Sequence, residues 1–343
     1  MSIYREFRSL RFRTRLLIVG ILIITWTFWQ KNDSRPVLHP PRLVAKSPQQ
    51  CIEVRPEFGP YQEAIIETSG LHCVVIDFWQ QRLSNFAGHT GPAPYRHLLA
   101  VMANDVTVDM ANHTLHSDGH SSGIVAVRIE QGEKPVPTNT TIRNGVLDLR
   151  GLGTAIKVID HWSMYSIDEP VPKDFPGFKK SGVVLENVLI KTDNVGVTLE
   201  GDGNIIRNCV IESGGDSAIM MAGPNGQIIN NRIVLTNPLV PTRLAPRSYL
   251  DQLIRLHEFR RIPRAAIALH RAAGTVISGN RIEVKGKSSI RHNIYLTDAS
   301  TGVRIEGNTI VGSEDPVTLM KGSTVELKNN IIEQRKEKKW WFF

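Results

Sequence analysis

The sequence has no long segment with the 3.6-residue apolar periodicity of an amphipathic helix, and this absence excludes repeat proteins built from helices. Cysteine is scarce, with three among 343 residues. Cys51 and Cys73 are the two that would pair in an oxidising compartment, although Cys73 lies in an apolar segment where burial alone would explain it. Cys209 follows a repeated asparagine, and we expect it to be a small buried residue.

A surplus of positive charge is also missing from most of the chain. The formal net charge is +8, but residues 1–35 carry seven basic and two acidic side chains and supply +5 of it. The remaining +3 is uneven, because residues 237–264 contain six arginines against Asp251 and Glu258. Since the N-terminal segment explains most of the basicity, we expect no nucleic-acid partner.

The N-terminus contains an unbroken uncharged run, from Leu16 to Gln30, and five arginines precede it. A basic flank before an apolar run is typical of an export signal and keeps the arginines cytoplasmic. The run is shorter than the usual span of about 20 residues, which leaves a cleaved signal peptide open. No small-x-small cleavage site follows it, however. We therefore expect residues 1–32 to be a cytoplasmic tail and a signal-anchor helix that contacts the membrane through residues 16–30. The bulk of the chain would lie outside the cytoplasm, in a periplasmic, extracellular or lumenal space.

A repeated asparagine dominates the rest of the sequence. Seven times a branched apolar residue follows two positions after it, at Asn144, Asn187, Asn208, Asn231, Asn280, Asn308 and Asn330. The spacings are 43, 21, 23, 49, 28 and 22 residues. They indicate a period of about 22, in which 43 is close to two turns and 49 is two turns or one turn with an insertion. We expect the seven amides to stack as one ladder.

A second apolar segment precedes most of these asparagines and alternates apolar with other residues over about five positions. Its equivalent inward residues are predicted to be Val197, Ile219, Ile267, Ile294 and Val317. Such segments are typical of short strands with one buried face. Two or three of them in each 22-residue turn predict an all-β chain, a parallel β-helix whose coils stack at about 4.8 Å.

The segments Val106–Leu115 and Thr141–Leu147, followed by these repeats, resemble the pectin-lyase-like superfamily. The resemblance covers about residues 98–334 and implies a right-handed parallel β-helix with carbohydrate-binding or sugar-hydrolase repeats. This fold is shared by lyases, hydrolases, epimerases and non-catalytic proteins, so it does not define a reaction.

The domain layout follows from these patterns. Six prolines in residues 33–60 predict an extended linker, and the β-helix is expected to occupy residues 61–334. An arginine-rich insertion at 237–264 breaks the period, either as a basic lid over a sugar groove or as a solvated helix that covers a coil edge. Residues 335–343 are expected to be a tail, or a cap on the last coil.

Two polar stripes border the predicted strand face. One of them contains Asp193 and Asp216, in segments that resemble the Asn-Thr-Asp and Gly-Asp-Asp elements of polygalacturonases. Two carboxylates on neighbouring coils are suited to acid and base work on a glycosidic bond. The second acid of the pair is Ser217 here and no Gly-His-Gly follows, so the sequence departs from that family.

A second candidate site suits an acidic sugar, because a lyase or epimerase on a uronate needs a cation, a base and an acid. Arg271 or Arg291 as the cation, with His270 and Tyr295, supplies these types on two adjacent coils. The Asp-Pro-His-Asp signature of mannuronan epimerases and the Arg-x-Pro-x-x-Arg of pectate lyases are absent. Further polar positions are expected to contact substrate: Glu200, Arg271, Asp298 and Lys321.

The sequence therefore predicts an envelope-anchored protein that binds an acidic polysaccharide and modifies it as a lyase or epimerase. Two alternatives stay open: a non-catalytic carbohydrate-binding scaffold, and a glycoside hydrolase of the polygalacturonase type. We expect no metal site, and the sequence identifies no cofactor.

Overall fold

The computed structural model describes residues 51–56, 63–80, 97–118, 122–127, 136–150, 153–159, 177–236, 265–285, 292–297, 299–312 and 316–333. The regular elements in these ranges are 26 strands, β1 to β26. None of the described residues belongs to a helix long and apolar enough to cross a membrane. The segment 1–32, predicted to be a tail and anchor, lies outside the described ranges, as do the insertion 237–264 and the tail 335–343.

The strands form three faces, which we number in the order in which each coil visits them. Face 1 contains β1 (Ile52–Val54), β3 (Gly70–Val74), β6 (Val106–Asp109), β13 (Ile205–Arg207), β16 (Gln227–Ile229), β19 (Val276–Ser278), β22 (Val303–Glu306) and β25 (Val325–Lys328). Face 2 contains β4 (Phe78–Gln80), β7 (Thr114–Ser117), β14 (Val210–Ser213), β17 (Arg232–Leu235), β20 (Arg281–Val284), β23 (Thr309–Val311) and β26 (Ile331–Glu333). Two longer strands run through the corner and belong to both faces, β9 (Thr141–Leu149) and β11 (Val184–Thr192).

Face 3 is a separate nine-stranded sheet, whereas faces 1 and 2 together form a continuous sheet of 17 strands. It contains β2 (Ala64–Ile66), β5 (His97–Val101), β8 (Ser122–Val127), β10 (Ile156–Ile159), β12 (Val197–Glu200), β15 (Ser217–Ala222), β18 (Ala265–His270), β21 (His292–Leu296) and β24 (Val317–Leu319). The strands pair in parallel with those of the coils before and after. The chain is therefore a parallel β-helix with three strands per coil, as its repeats predicted.

Alternation along each strand builds the core. In one coil, Ile206, Ile211 and Ile219 point inward from the three faces and are fully buried. The predicted inward column of face 3 is confirmed, because Val197, Ile219, Ile267, Ile294 and Val317 pair in register. Each fully buried side chain of this size stabilises the fold by about 1.5–3 kcal/mol.

The lengths of the connections differ between the corners. From β13 to β26, the corner between faces 1 and 2 takes two residues in every coil. The connection from face 2 to face 3 ranges from residues 214–216 to residues 236–264, and that from face 3 to face 1 extends to residues 160–183. Because β9 pairs with β11 and β17 with β20, the spacings of 43 and 49 residues are each one coil with extra residues beside face 3. The interpretation of 43 as two coils was wrong.

The repeated asparagines divide into two positions of the corner between faces 1 and 2. Asn144, Asn187 and Asn208 have φ between 54° and 58°, a left-handed conformation that asparagine and glycine tolerate best. The same position is filled in later coils by Asn230, Gly279, Gly307 and Asn329. The prediction that all seven amides stack in one register was therefore wrong for the first three.

The amide ladder itself is one position further on and begins at Asn231. Asn280 Oδ1 accepts from the backbone N–H and the amide of Asn231 at 2.8 and 3.0 Å. Asn308 does the same for Asn280, and Asn330 for Asn308. Asn231, Asn280 and Asn308 are almost completely buried. Cys209 occupies this position one coil earlier, and its N–H donates to Asn231 Oδ1.

The solenoid begins earlier than the boundary expected at residue 61. Strand β1 lies within the segment assigned to a linker, and it pairs with β3. The disulfide between Cys51 and Cys73 joins the same two segments, with Cα atoms 5.8 Å apart. The first coil is thus closed covalently as well as by backbone hydrogen bonds.

Candidate functional site

The outer side of face 3 was expected to carry the site, and its register is as predicted. Thr198, Met220, Ala268, Tyr295 and Thr318 follow one another on successive coils. Thr198, Met220 and Ala268 are buried, however. Met220 and Ala268 belong to a second apolar cluster, against which Phe178 and Tyr295 pack. The middle of face 3 is thus a covered apolar surface rather than an open groove.

The predicted base and acid lie at the edge of this covered region. His270 ends β18 and is 9% exposed, with Nδ1 2.6 Å from Thr297 Oγ1 on the next coil. The Tyr295 ring packs on His292, with ring centroids 5.1 Å apart. Ala268 pairs with Tyr295, so His270 and Tyr295 are diagonal neighbours on the same face, with backbones about 8 Å apart. Arg291, the predicted cation, lies outside the described residues.

The residues predicted to contact substrate are dispersed. Glu200 is buried two coils before His270 and lines a small pocket with Phe178 and Lys180. Arg271 follows β18 with φ of 50°, and Lys321 is exposed in the turn after β24. Asp298 is outside the described residues.

The predicted acidic pair lies at the corner between faces 2 and 3, on neighbouring coils. Asp193 stands directly below Gly214, because a Cβ at Gly214 would be 3.1 Å from the Asp193 carbonyl oxygen. Asp216 is two residues further along its coil, and its carbonyl accepts from Ala265 N at 3.0 Å. The two aspartates are therefore adjacent but out of register by two residues.

Sequence reasoning missed a set of side chains at the same corner. They lie on the coil of Asp193 and on the three coils before it. Trp79, His116, Asp148 and Lys191 occupy one outward column of face 2. Asp118, Arg150 and Asp193 form the neighbouring column at the first corner position, since Arg150 N bonds to Ser117 O and Asp193 N to Leu149 O. We call these seven residues the corner surface. The predicted Asp193 is one of its members.

His116 is the centre of the corner surface. The Trp79 indole, 55% exposed, packs on the imidazole with ring centroids 4.6 Å apart and planes inclined by 40°. His116 Nδ1 is 3.3 Å from Asp148 Oδ2, and Nε2 is 3.1 Å from Asp118 Oδ1. Arg150 Nε approaches the other oxygen of Asp148 at 3.6 Å. The imidazole is thus held between two carboxylates beneath an exposed aromatic ring.

The electrostatics of this cluster favour the charged forms of its central pair. The hydrogen bond to Asp148 raises the pKa of His116, against the effect of burial and together with the charges of Asp118 and Asp148. Burial opposes ionisation of Asp148, but the hydrogen bond from His116 and the charges of Arg150, His116 and Lys191 outweigh it and lower its pKa. Perturbed histidines and carboxylates in one cluster are typical of functional sites, although structural ion pairs produce the same shifts.

Sequence reasoning missed the corner surface because its residues are separated by irregular distances. Trp79, His116 and Asp148 belong to coils that precede the regular spacing of the repeated asparagines. Connections of unequal length beside face 3 separate them in the sequence, so the spacing does not indicate that they share one column. The available signal was the alternation within each strand, which predicts that Trp79 and His116 point outward. Trp79 lies between the buried Phe78 and Gln80, and His116 lies between the buried Leu115 and Ser117.

The stacked parallel strands define the class of protein, a parallel β-helix. The model of the family described as "Right handed beta helix region" matches residues 178–339. Among solved structures, the enzymatically active domain of tailspike protein 2 from bacteriophage CBA120 is similar, with a TM-score of 0.43 and 10% identity. That alignment covers 78% of this chain and 38% of the tailspike chain, so it spans well under two thirds of the tailspike. No curated protein matches the sequence.

Metal ligands are not grouped in the part of the chain that the structure describes. There, no three His, Cys, Asp or Glu side chains are arranged to hold an ion. The corner surface offers an aromatic ring, an imidazole, carboxylates and a guanidinium group to a ligand.

Proposed function

We propose that the chain binds a polysaccharide along the corner surface. One observation carries the proposal: Trp79 is exposed yet held in place by its packing on His116. A fixed indole offers an apolar face to the C–H side of a sugar ring, and polar groups at its border hydrogen-bond the hydroxyls. Asp118, Asp148 and Arg150 supply those groups.

The direction of the polymer follows from the stacking. Successive members of the corner surface are one coil apart, and coils repeat at about 4.8 Å. A sugar chain parallel to the helix axis would meet Trp79, His116, Asp148 and Lys191 in turn. Weak contacts repeated along a polymer add to useful affinity.

Binding to a panel of soluble glycans, measured by titration calorimetry, tests this proposal. Trp79→Ala is expected to lower affinity at least about tenfold, since it removes the ring contact, whereas Trp79→Phe keeps part of it. Lys328→Ala, at an exposed position on face 1 in the last described coil, is the control and should leave affinity unchanged. Equal binding by Trp79→Ala and the unaltered protein would reject the corner surface as the site.

We further propose chemistry on an acidic glycan at the edge of face 3, as a lyase or epimerase. Its support is that His270 and Tyr295 share one outer face on adjacent coils and that long insertions border this face, as at the binding faces of other repeat proteins. His270 would take the C5 proton, and Arg291 would neutralise the sugar carboxylate. In a lyase, the electron pair left at C5 forms the C4–C5 double bond as the C4–O4 bond breaks, and Tyr295 protonates the leaving oxygen. In an epimerase, Tyr295 instead returns a proton to the opposite face of C5. Incubation with uronate polymers should then give unsaturated uronate or an altered epimer ratio.

His270→Ala should abolish such turnover and leave binding intact. Turnover that persists in His270→Ala but stops in Asp193→Asn or Asp216→Asn, with new reducing ends, would instead favour the hydrolase alternative. No product with any uronate polymer would favour a binding scaffold.

We also propose that residues 16–30 anchor the protein with its β-helix outside the cytoplasm. The disulfide between Cys51 and Cys73 supports an oxidising compartment. A topology reporter joined after Pro60 should be active only on the external side, and cytoplasmic activity alone would contradict this orientation.

A further inference from the structure

The corner surface also distinguishes between classes of sugar, an inference that rests on the proposed binding function. Its charged groups are arranged unevenly around Trp79. Asp118 is the most exposed of them, with 54% of its side chain exposed. Its Oδ1 is 3.1 Å from Nε2 of His116, the imidazole on which Trp79 packs. An exposed carboxylate therefore lies at the imidazole on which the Trp79 ring packs.

The cations of the corner surface interact with its carboxylates. Arg150 Nε is 3.6 Å from Asp148, and the positive charge of Lys191 also acts on Asp148. His116 is 10% exposed and lies between Asp118 and Asp148. Within the described part of the corner surface, these three positive groups thus act on its carboxylates.

We infer that the sugar unit stacked on Trp79 is an uncharged pyranose and not a uronic acid. Hydroxyl groups donate hydrogen bonds to the Asp118 carboxylate, whereas a uronate carboxylate beside it would meet a like charge. The acidic glycan expected from the sequence would then bind at face 3. The corner surface would bind neutral units of the same or another polymer.

The experiment compares two oligosaccharides of equal length, one of neutral hexoses and one of hexuronates, by calorimetry on the full chain at low and moderate salt. The neutral ligand should bind at least about tenfold more tightly, and the difference should shrink as salt screens the repulsion. Asp118→Asn removes the charge but keeps a hydrogen-bonding group, so it should raise hexuronate affinity by a similar factor. Glu326→Gln, an exposed carboxylate on face 1 near the far end, is the control and should change neither affinity.

The outcomes separate this inference from the binding proposal. Tighter binding of the hexuronate, lost in Trp79→Ala, would overturn the inference and keep the corner surface as a site. Binding of either ligand that ignores Trp79→Ala, or no binding of any glycan, would overturn the proposed function. A neutral preference that survives in Asp118→Asn would show that Asp118 does not set it.

Discussion

Replacing Asn308 with leucine tests the amide ladder, which fixes the register of the C-terminal coils. Asn308 Oδ1 accepts two hydrogen bonds of 2.9 Å, from the backbone N–H and from the side-chain amide of Asn280. Its own amide donates to Ile277 O and to Asn330 Oδ1 at 2.9 and 3.0 Å. Leucine has a similar volume but can neither donate nor accept, so the neighbours lose their partners without an opening for water.

The magnitude follows from the two donors that Asn280 would keep unpaired. Asn280 and Asn308 are 2% and 1% exposed, and each buried unsatisfied group costs about 1–3 kcal/mol. The expected loss in the free energy of unfolding is thus about 2–6 kcal/mol. At about 2–4 °C per kcal/mol for a large domain, the thermal midpoint should fall by roughly 5 °C or more.

The control is Asn208→Gly, because Asn208 is exposed at the left-handed position of the same corner with φ of 54°. Glycine adopts that conformation freely, so the change should stay within about 0.5 kcal/mol. Thermal and urea unfolding followed by circular dichroism compare the two variants. An Asn308→Leu protein as stable as the unaltered chain, or an Asn208→Gly protein that loses as much, would refute the assigned ladder.

Three further predictions concern the cysteines and the central pair of the corner surface. Cys51→Ser should cost about 3 kcal/mol, because the disulfide to Cys73 closes a loop of 22 residues, and reductant should lower unfolding midpoints only in proteins that retain the bond. Burial raises the pKa of Cys209 to about 12, so alkylating reagents should label this thiol in mass spectrometry only after unfolding, and rapid native labelling would contradict its position. The pKa of His116 is raised above 6.5 in the fold, so its contribution is complete below that pH and is lost as pH rises through the folded value. The pKa of Asp148 is lowered below 3.8, so its contribution is present above that pH and is lost as pH falls through the folded value. Asp148→Asn should therefore lower the His116 pKa in an NMR titration and flatten the alkaline loss of stability, and an unchanged titration would exclude the pairing.

The fold could be predicted from the sequence because a β-helix repeats its inward residues. Ile219, Ile267 and Ile294 alternate with their neighbours, and this period-2 pattern recurs coil after coil. The register of face 3 followed correctly from that pattern. The asparagine repeat was less reliable, because Asn208 and Asn231 have the same local sequence pattern but occupy successive positions of the corner. An asparagine stabilises a left-handed turn in the first position and forms part of the amide ladder in the second. The sequence motif is the same in both cases, so it does not predict which position an asparagine occupies.

The candidate site was harder to predict, because outward residues are not constrained by packing and show no periodicity. His270 and Tyr295 were placed on the correct face, but the burial of Met220 and Ala268 between the coils depends on parts of the chain distant in sequence. The pairing of His116 with Asp148 spans connections of unequal length, so neither residue type nor spacing indicated it.

The two kinds of corner explain how this solenoid combines regular stacking with irregular surface chemistry. The corner between faces 1 and 2 allows two residues per coil in its later part, since a left-handed residue and a ladder amide fill it completely. The connections beside face 3 accept segments as different in length as 214–216 and 236–264. The corner surface lies between the regular strands of face 2 and the connections of variable length. Trp79, His116 and Asp148 belong to the strands of face 2. Asp118 and Arg150 are the first residues of the variable connections. A ligand bound there would contact the Trp79 ring, supported from below by His116, on one side and the polar groups of Asp118 and Arg150 on the other. Because packing and ion pairs already hold these groups, little of the binding free energy would be lost in ordering them.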